Sequence, residues 1–288
     1  MADTQEALVD AVKALAAAIA PQKQTRDLLP AESPAKAYVF DLESGALRTV
    51  EKVAAPDIDL LLGINRTKAA LLENSRRFAD GFSANNALLW GARGMGKSTL
   101  VKAIHNLIVA EKGGNAPCLV EIHREDIAAL PQLLNVLRSN NQQFVIYCDD
   151  LSFSRPDRDF KALKSVLEGG LEGRPENVIF YATSNRRHLL PRAMADQESA
   201  TGIHPNEAMD ETIALSDRFG LWLGFHAADQ SDYLSMIEGY MKHFDLTPDY
   251  DWKAEALEWA KTRGNRSGRT CWQYVSNLAG KLGRKIRF

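Results

Sequence analysis

Cysteine is scarce in this chain, with three among 288 residues: Cys118, Cys148 and Cys271. An odd count without metal-ligand spacing argues against a disulfide framework and against a cysteine-bound metal, and Cys118 and Cys148 sit in apolar, strand-like runs; reduced thiols are the reading. Charge of one sign is also lacking. Thirty-five Lys and Arg stand against 37 Asp and Glu, a formal net charge of −2. There is thus no broad electrostatic footprint for nucleic acid or a membrane surface, and any such contact must be local. No apolar run approaches the ~18 residues of a membrane span, and the opening MADTQEALVD is acidic where a secretory leader is basic. These absences give the expectation of a cytoplasmic protein with no membrane part. The 45% of hydrophobic and 25% of charged residues suffice for one large or two modest globular domains.

Three textures follow one another along the chain. Leu8, Val12, Leu15 and Ile19 recur at helical spacing until Pro21, which predicts a short amphipathic helix over 4–20, packed on the protein's own body or docked to a partner. PQKQTRDLLPAESPAKA reads as linker, and AYVFDLESGALRTV alternates around Glu43-Ser44-Gly45, a small β-hairpin expected outside the main fold. Residues 1–56 are therefore helix, linker and hairpin. From Asp57 helical patterns alternate with the apolar runs NALLW, PCLVEI, FVIYC and NVIFYAT, so 57–222 is expected to be an α/β domain, a parallel sheet with helices on both faces. After Gly220 the pattern turns almost wholly helical, and 223–288 is expected to form a small all-α domain ending in the basic, solvated tail KLGRKIRF.

GARGMGKST, comprising Gly91, Ala92, Arg93, Gly94, Met95, Gly96, Lys97, Ser98 and Thr99, fits G-x-x-x-x-G-K-[ST] between a strand-like and a helical run. Glycines let successive backbone N–H groups turn toward an anion, and the following helix adds its positive end at the same point. In such a P-loop, Lys97 reaches the β- and γ-phosphates of a nucleotide, Ser98 holds Mg2+ and Thr99 assists at the phosphates.

A P-loop needs a second strand whose tip presents a carboxylate to the metal, and FVIYCDD ends in two, Asp149 and Asp150. Asp149 is expected on the metal side. Asp150 is placed to orient or deprotonate the attacking water, or else to cap the turn-rich DDLSFSRPD. NVIFYATSN delivers Ser184 and Asn185 to the same edge, Asn185 being the candidate to position the water or touch the γ-phosphate. Arg218 in ALSDRFGLWLGF is a candidate arginine finger for a neighbouring subunit's nucleotide, and Arg266 and Arg269 in TRGNRSGRTCWQYV are candidate phosphate sensors.

In order and spacing, GARGMGKST, FVIYCDD, ATSN, SDRFG and GNRSGR resemble the AAA+ ATPases, in the branch of clamp loaders, replication initiators and the Holliday-junction branch-migration motor. The resemblance spans about residues 57 to 285. More narrowly, LLGINRTKAALLENSRRFADGFSANNALLWGARGMGKSTL, CDDLSF, LKSVLEGGLEGRPENVIFYATSNRRHLLPR, LSDRFGLWLGF and RSGRTCWQ look like the bacterial family catalogued as domain of unknown function 815. The resemblance implies ATP and Mg2+ as cofactors, Lys97 and Ser98 as the Walker A pair and Asp149 as the Walker B aspartate. It puts Asp150 in the catalytic glutamate's place, makes Asn185 sensor 1 and Arg218 a finger acting in trans, and offers Arg269, or Arg266, as sensor 2. It further implies that Leu62 and Ile64, in LLGI, pack around adenine, that the 223–288 helices form an AAA+ lid, and that the protein is a homo-oligomer acting on a protein or nucleic-acid client. The expected activity is ATP hydrolysis coupled to remodelling or loading of that client. The alternatives are a slowly hydrolysing ATP-dependent switch or scaffold and, against the distant arginines, a small-molecule kinase.

Overall fold

Among the described residues, seven runs become strands: β1 (Ala37–Asp41), β2 (Ala46–Thr49), β3 (Ala87–Gly91), β4 (Cys118–Glu121), β5 (Phe144–Cys148), β6 (Val178–Ser184) and β7 (Leu221–Phe225). The computed structural model describes residues 35–153, 158–169, 173–187, 189 and 215–287, so the helix expected over 4–20 lies outside the described residues. The strands form one sheet in the order β2-β1-β4-β5-β6-β3-β7, parallel except for the β1–β2 hairpin. Every residue of β5 and β6 is buried, as expected of strands covered on both faces.

Helices α1 (Asn65–Ala79), α2 (Lys97–Lys112), α3 (Leu130–Arg138) and α4 (Arg158–Glu168) supply the cover. Alternate residues of the central strands, Leu89, Tyr147, Tyr181 and Phe225 among them, share a core with Leu71 and Phe78 of α1 and with Leu100, Ile104 and Ile108 of α2. The intervening residues face the other way, where Ile146 and Phe180 meet Leu130 and Leu134 of α3 and Val166 and Leu167 of α4. The sheet is thus sandwiched, as the alternation of strand and helix predicts.

Three helices follow β7: α5 (Gln230–His243), α6 (Trp252–Thr262) and α7 (Gly268–Lys281). Each starts at a residue whose side chain accepts from its own first turn, Asp229 from Asp232 N–H, Asp251 from Lys253 N–H and Ser267 from Thr270 N–H. Such a cap is worth about 1 kcal/mol. Tyr233 and Ile237 of α5 and Tyr274 and Leu278 of α7 extend the same core as α1 and α2.

Two expectations change. The hairpin is not outside the main fold: Ala37, Tyr38 and Val39 pair in parallel with Leu119, Val120 and Glu121, so β1 and β2 form one edge of the sheet. Without them β4 would present an open row of backbone groups. At the other edge LWLGF is a strand and not part of a helical region, and a boundary at 222 would cut through it. β7 packs closely on β3 because two glycines lie between them. A Cβ on Gly91 would stand 2.0 Å from the Phe225 carbonyl oxygen, and one on Gly224 would meet the Trp90 ring at 3.0 Å.

Candidate functional site

Register sets the edge of the sheet at which the polar tips gather. Leu89 lies opposite Thr183, Trp90 opposite Ser184, and Cys148 opposite Ala182, so Gly91, Asn185 and Asp149 all emerge at the C-terminal ends of adjacent strands. This is the edge at which open α/β sheets bind ligands.

The loop from β3 to α2 turns on left-handed glycines, Gly94 at φ +75° and Gly96 at +86°, a region closed to most side chains. Gly96 caps α2, whose first residue is Lys97, so the helix N-terminus and its positive end face the loop. Lys97 is buried, and its ammonium donates to the carbonyl oxygens of Gly91 and Ala92, each at 2.9 Å, and to Asn185 Oδ1 at 3.0 Å. Burial lowers its pKa, against the opposing pull of Asp149 and Asp150.

One step along α2, the Ser98 hydroxyl donates to Asp149 Oδ1 at 2.6 Å. The Thr183 hydroxyl donates to the same oxygen at 2.5 Å and accepts from the Asp150 N–H at 2.9 Å. Burial pushes the Asp149 pKa up, but the hydrogen bonds from Ser98 and Thr183 outweigh it and leave the carboxyl below its ordinary value. Asp150 adopts a left-handed backbone, φ +50°, and its carboxylate accepts from Asn185 Nδ2 at 2.6 Å. Lys97, Asn185 and Asp150 are therefore chained through the one amide, while Ser98 and Asp149 form a separate pair beside them.

These groups open onto a cavity of about 720 Å3 between the loop and the C-terminal helices. Arg93 through Thr99 line it, together with Asp149, Asp150, Thr183 and Asn185. Gly91 and Ala92 are not in the lining; they serve by holding Lys97. Leu62 and Ile64 form an apolar wall with Pro56, Met236, Tyr240 and Trp272. The last four and Thr183 were not anticipated. Thr183 had one signal, a hydroxyl next to Ser184 at the end of a mostly apolar strand, whereas Met236, Tyr240 and Trp272 read in sequence as ordinary helix-face residues.

The two C-terminal arginines separate. Arg269 lines the cavity, and its backbone N–H donates to the Gly94 carbonyl at 3.0 Å, seating the first turn of α7 on the loop; Arg266 is not among the lining residues. Arg218 also lies outside the lining and pairs with Glu168 at the end of α4.

The residues present suit a magnesium-bound nucleoside triphosphate. The left-handed loop and helix N-terminus form an anion cradle with a buried lysine beneath, the apolar wall has the character of a base site, and Ser98 and Asp149 sit side by side. No group of three or more His, Cys, Asp and Glu gathers among the described residues to hold a metal by itself. Ser98 and Asp149 are the residues that would hold a cation here, and so small a protein contribution fits Mg2+, which keeps phosphate and water ligands. Among the described residues no helix is long and apolar enough to cross a membrane.

No curated protein matches the chain. Among solved structures it resembles the Orc1 protein of Aeropyrum pernix in complex with DNA, with 14% identity over 83% of this chain and 68% of that one and a TM-score of 0.55. It likewise resembles domain III of the Thermotoga maritima replication initiation protein DnaA, with 13% identity over 82% and 94% of the two chains and a TM-score of 0.53. A RuvB mutant from Thermotoga maritima gives 17% identity over 82% and 69%, with a TM-score of 0.52. At these identities the likeness is one of fold, that of the P-loop AAA+ ATPases. The sequence model of the family described as Protein of unknown function (DUF815) matches residues 33–282, edge hairpin included, and the chain belongs to that family.

Proposed function

We propose that the protein is an AAA+ ATPase that binds and hydrolyses Mg-ATP in a homo-oligomer and couples the reaction to remodelling or loading of a protein or nucleic-acid client in the cytoplasm. The observation that carries the reading is the convergence on one cavity of a P-loop lysine, a serine–aspartate pair and an amide-tethered second aspartate. Mg2+, which Ser98 and Asp149 would hold, would supply positive charge to the phosphates.

The chain's own groups do the rest. Lys97 exchanges the carbonyls of Gly91 and Ala92 for phosphate oxygens, while Ser98 and Asp149 hold the cation. Asp150 takes a proton from the attacking water, and Asn185 spans Asp150 and Lys97, so that water and phosphate are aligned by one side chain. Leu62 and Ile64 hold the base, and Arg269 answers the phosphate charge from α7. Because α7 touches the loop through the Gly94 carbonyl, a change of charge at the phosphates is felt by residues 226–287, a lid that closes on ATP.

Arg218 lies outside its own chain's cavity, which leaves it available as a finger for a neighbour's nucleotide in the assembled enzyme proposed here. One observation favours a second reading, a slow switch: Arg218 is engaged by Glu168 of its own chain. Steady-state ATP turnover measured against protein concentration separates the two. The motor reading predicts turnover per subunit that rises cooperatively with assembly and collapses in Arg218→Ala. Flat, negligible turnover at all concentrations would leave the switch.

A further inference from the structure

We propose that Thr183 is a positioning residue that sets the geometry of both acids at the site. The inference rests on the ATPase reading above. A hydroxyl has one proton to give and two lone pairs to offer, and Thr183 uses both capacities in opposite directions. Its O–H donates to Asp149 Oδ1 at 2.5 Å, and its oxygen accepts the Asp150 N–H at 2.9 Å. Its carbonyl accepts the Leu151 N–H at 2.7 Å, so the chain leaving β5 is fastened to β6 at two successive amides.

The fastening has a conformational purpose. Asp150 is one of two residues other than glycine with positive φ among the described residues, a conformation costing about 1 kcal/mol or more. In that conformation its carboxylate meets Asn185 Nδ2, two residues beyond Thr183 on the same strand end. Thr183 is only 1% exposed, so its hydroxyl lacks competition from bulk water. A valine there would leave the Asp150 amide without its acceptor, remove the Thr183 hydroxyl from Asp149 and free the turn to relax.

The test compares Thr183→Val with Thr183→Ser, the second retaining the hydroxyl. In the nucleotide-free protein, hydrogen exchange in a peptide spanning 147–153 is expected to quicken at least ~10-fold in the Val variant and to return toward wild type in the Ser variant. Misplacement on the order of 1 Å costs about 100-fold in rate, so kcat in the Val variant falls by roughly that factor while the ATP dissociation constant stays within about threefold. Equal exchange and equal kcat in wild type and Val variant would overturn the proposal, and so would a Ser variant as impaired as the Val variant. If the Val protein does not fold, Thr183→Ala takes its place with the same criteria. A wild-type protein without turnover defeats the ATPase reading instead, and the exchange comparison then decides the role of Thr183 alone.

Discussion

At the scale of single residues, the proposed mechanism separates groups that bind from groups that act. Lys97 is buried under the loop with three acceptors and no carboxylate among them, so its removal leaves the cradle without its central cation. Lys97→Ala is expected to weaken ATP binding at least ~10-fold, read by displacement of a fluorescent nucleotide; unchanged affinity would remove Lys97 from the phosphate site. The positions of Lys97 and Asp149 at one cavity were legible because strand, glycine loop and helix, then strand and acid, specify where each side chain emerges. The choice between Arg266 and Arg269 was not legible. It depends on Ser267 capping α7, which makes Arg269 the second residue of the helix and brings its N–H to Gly94. Thr183 escaped notice because threonine is an ordinary strand residue, and only the register with β5 shows which carboxylate it meets.

Among elements, the close packing of β7 on β3 limits what can replace Gly91, and the burial of His105 in α2 makes stability depend on pH. Gly91 at φ +126° faces the Phe225 carbonyl, whereas a methyl group added to Gly96, at φ +86°, would meet nothing within 4 Å. Gly96→Ala therefore incurs only backbone strain, about 1 kcal/mol, while Gly91→Ala adds a clash with main chain and costs roughly 3 kcal/mol or more. In thermal melts the second variant falls by at least ~6 °C, the first by a few degrees, and equal shifts would contradict the close approach.

His105 of α2 is buried, and burial with the nearby charge of Lys36 lowers its pKa from 6.5 to about 4. Unfolded, it binds a proton below pH 6.5; folded, it does so only near pH 4, so stability is lost as pH falls through that window. At pH 5 the loss is about 2 kcal/mol relative to pH 7.5, and His105→Leu flattens that part of the curve. An unchanged slope in the variant would place the titration elsewhere. The four inner strands were legible as apolar runs bounded by turn formers. The two edges were not: LWLGF stands next to a helical region whose texture it shares, and nothing local in AYVFD says that its partner is Cys118–Glu121.

At the scale of the whole molecule, a sheet edge and helices after β7 line the nucleotide-sized cavity of the described residues, and the arginine offered as a finger lies outside it. If Arg218 serves a neighbouring subunit, a mixture of Arg218→Ala and Asp150→Asn proteins regains part of the turnover that each has lost, because the first contributes an intact cavity and the second an intact finger. A mixture as inactive as its parts would place Arg218 in another role. The order of motifs made the α/β core and its helical cap legible from sequence, but the proposed assembly would be a property of several chains, toward which the sequence offers Arg218.

The central claim is that Asp150 turns bound ATP into ADP and phosphate in this cavity. Phosphate release from Mg-ATP by wild type and Asp150→Asn, each first shown to bind ATP, tests it most directly. The account predicts release by the wild type, a fall of at least ~100-fold in the variant, and ATP affinity the same in both. Equal release by the two proteins, or none by the wild type, would contradict it.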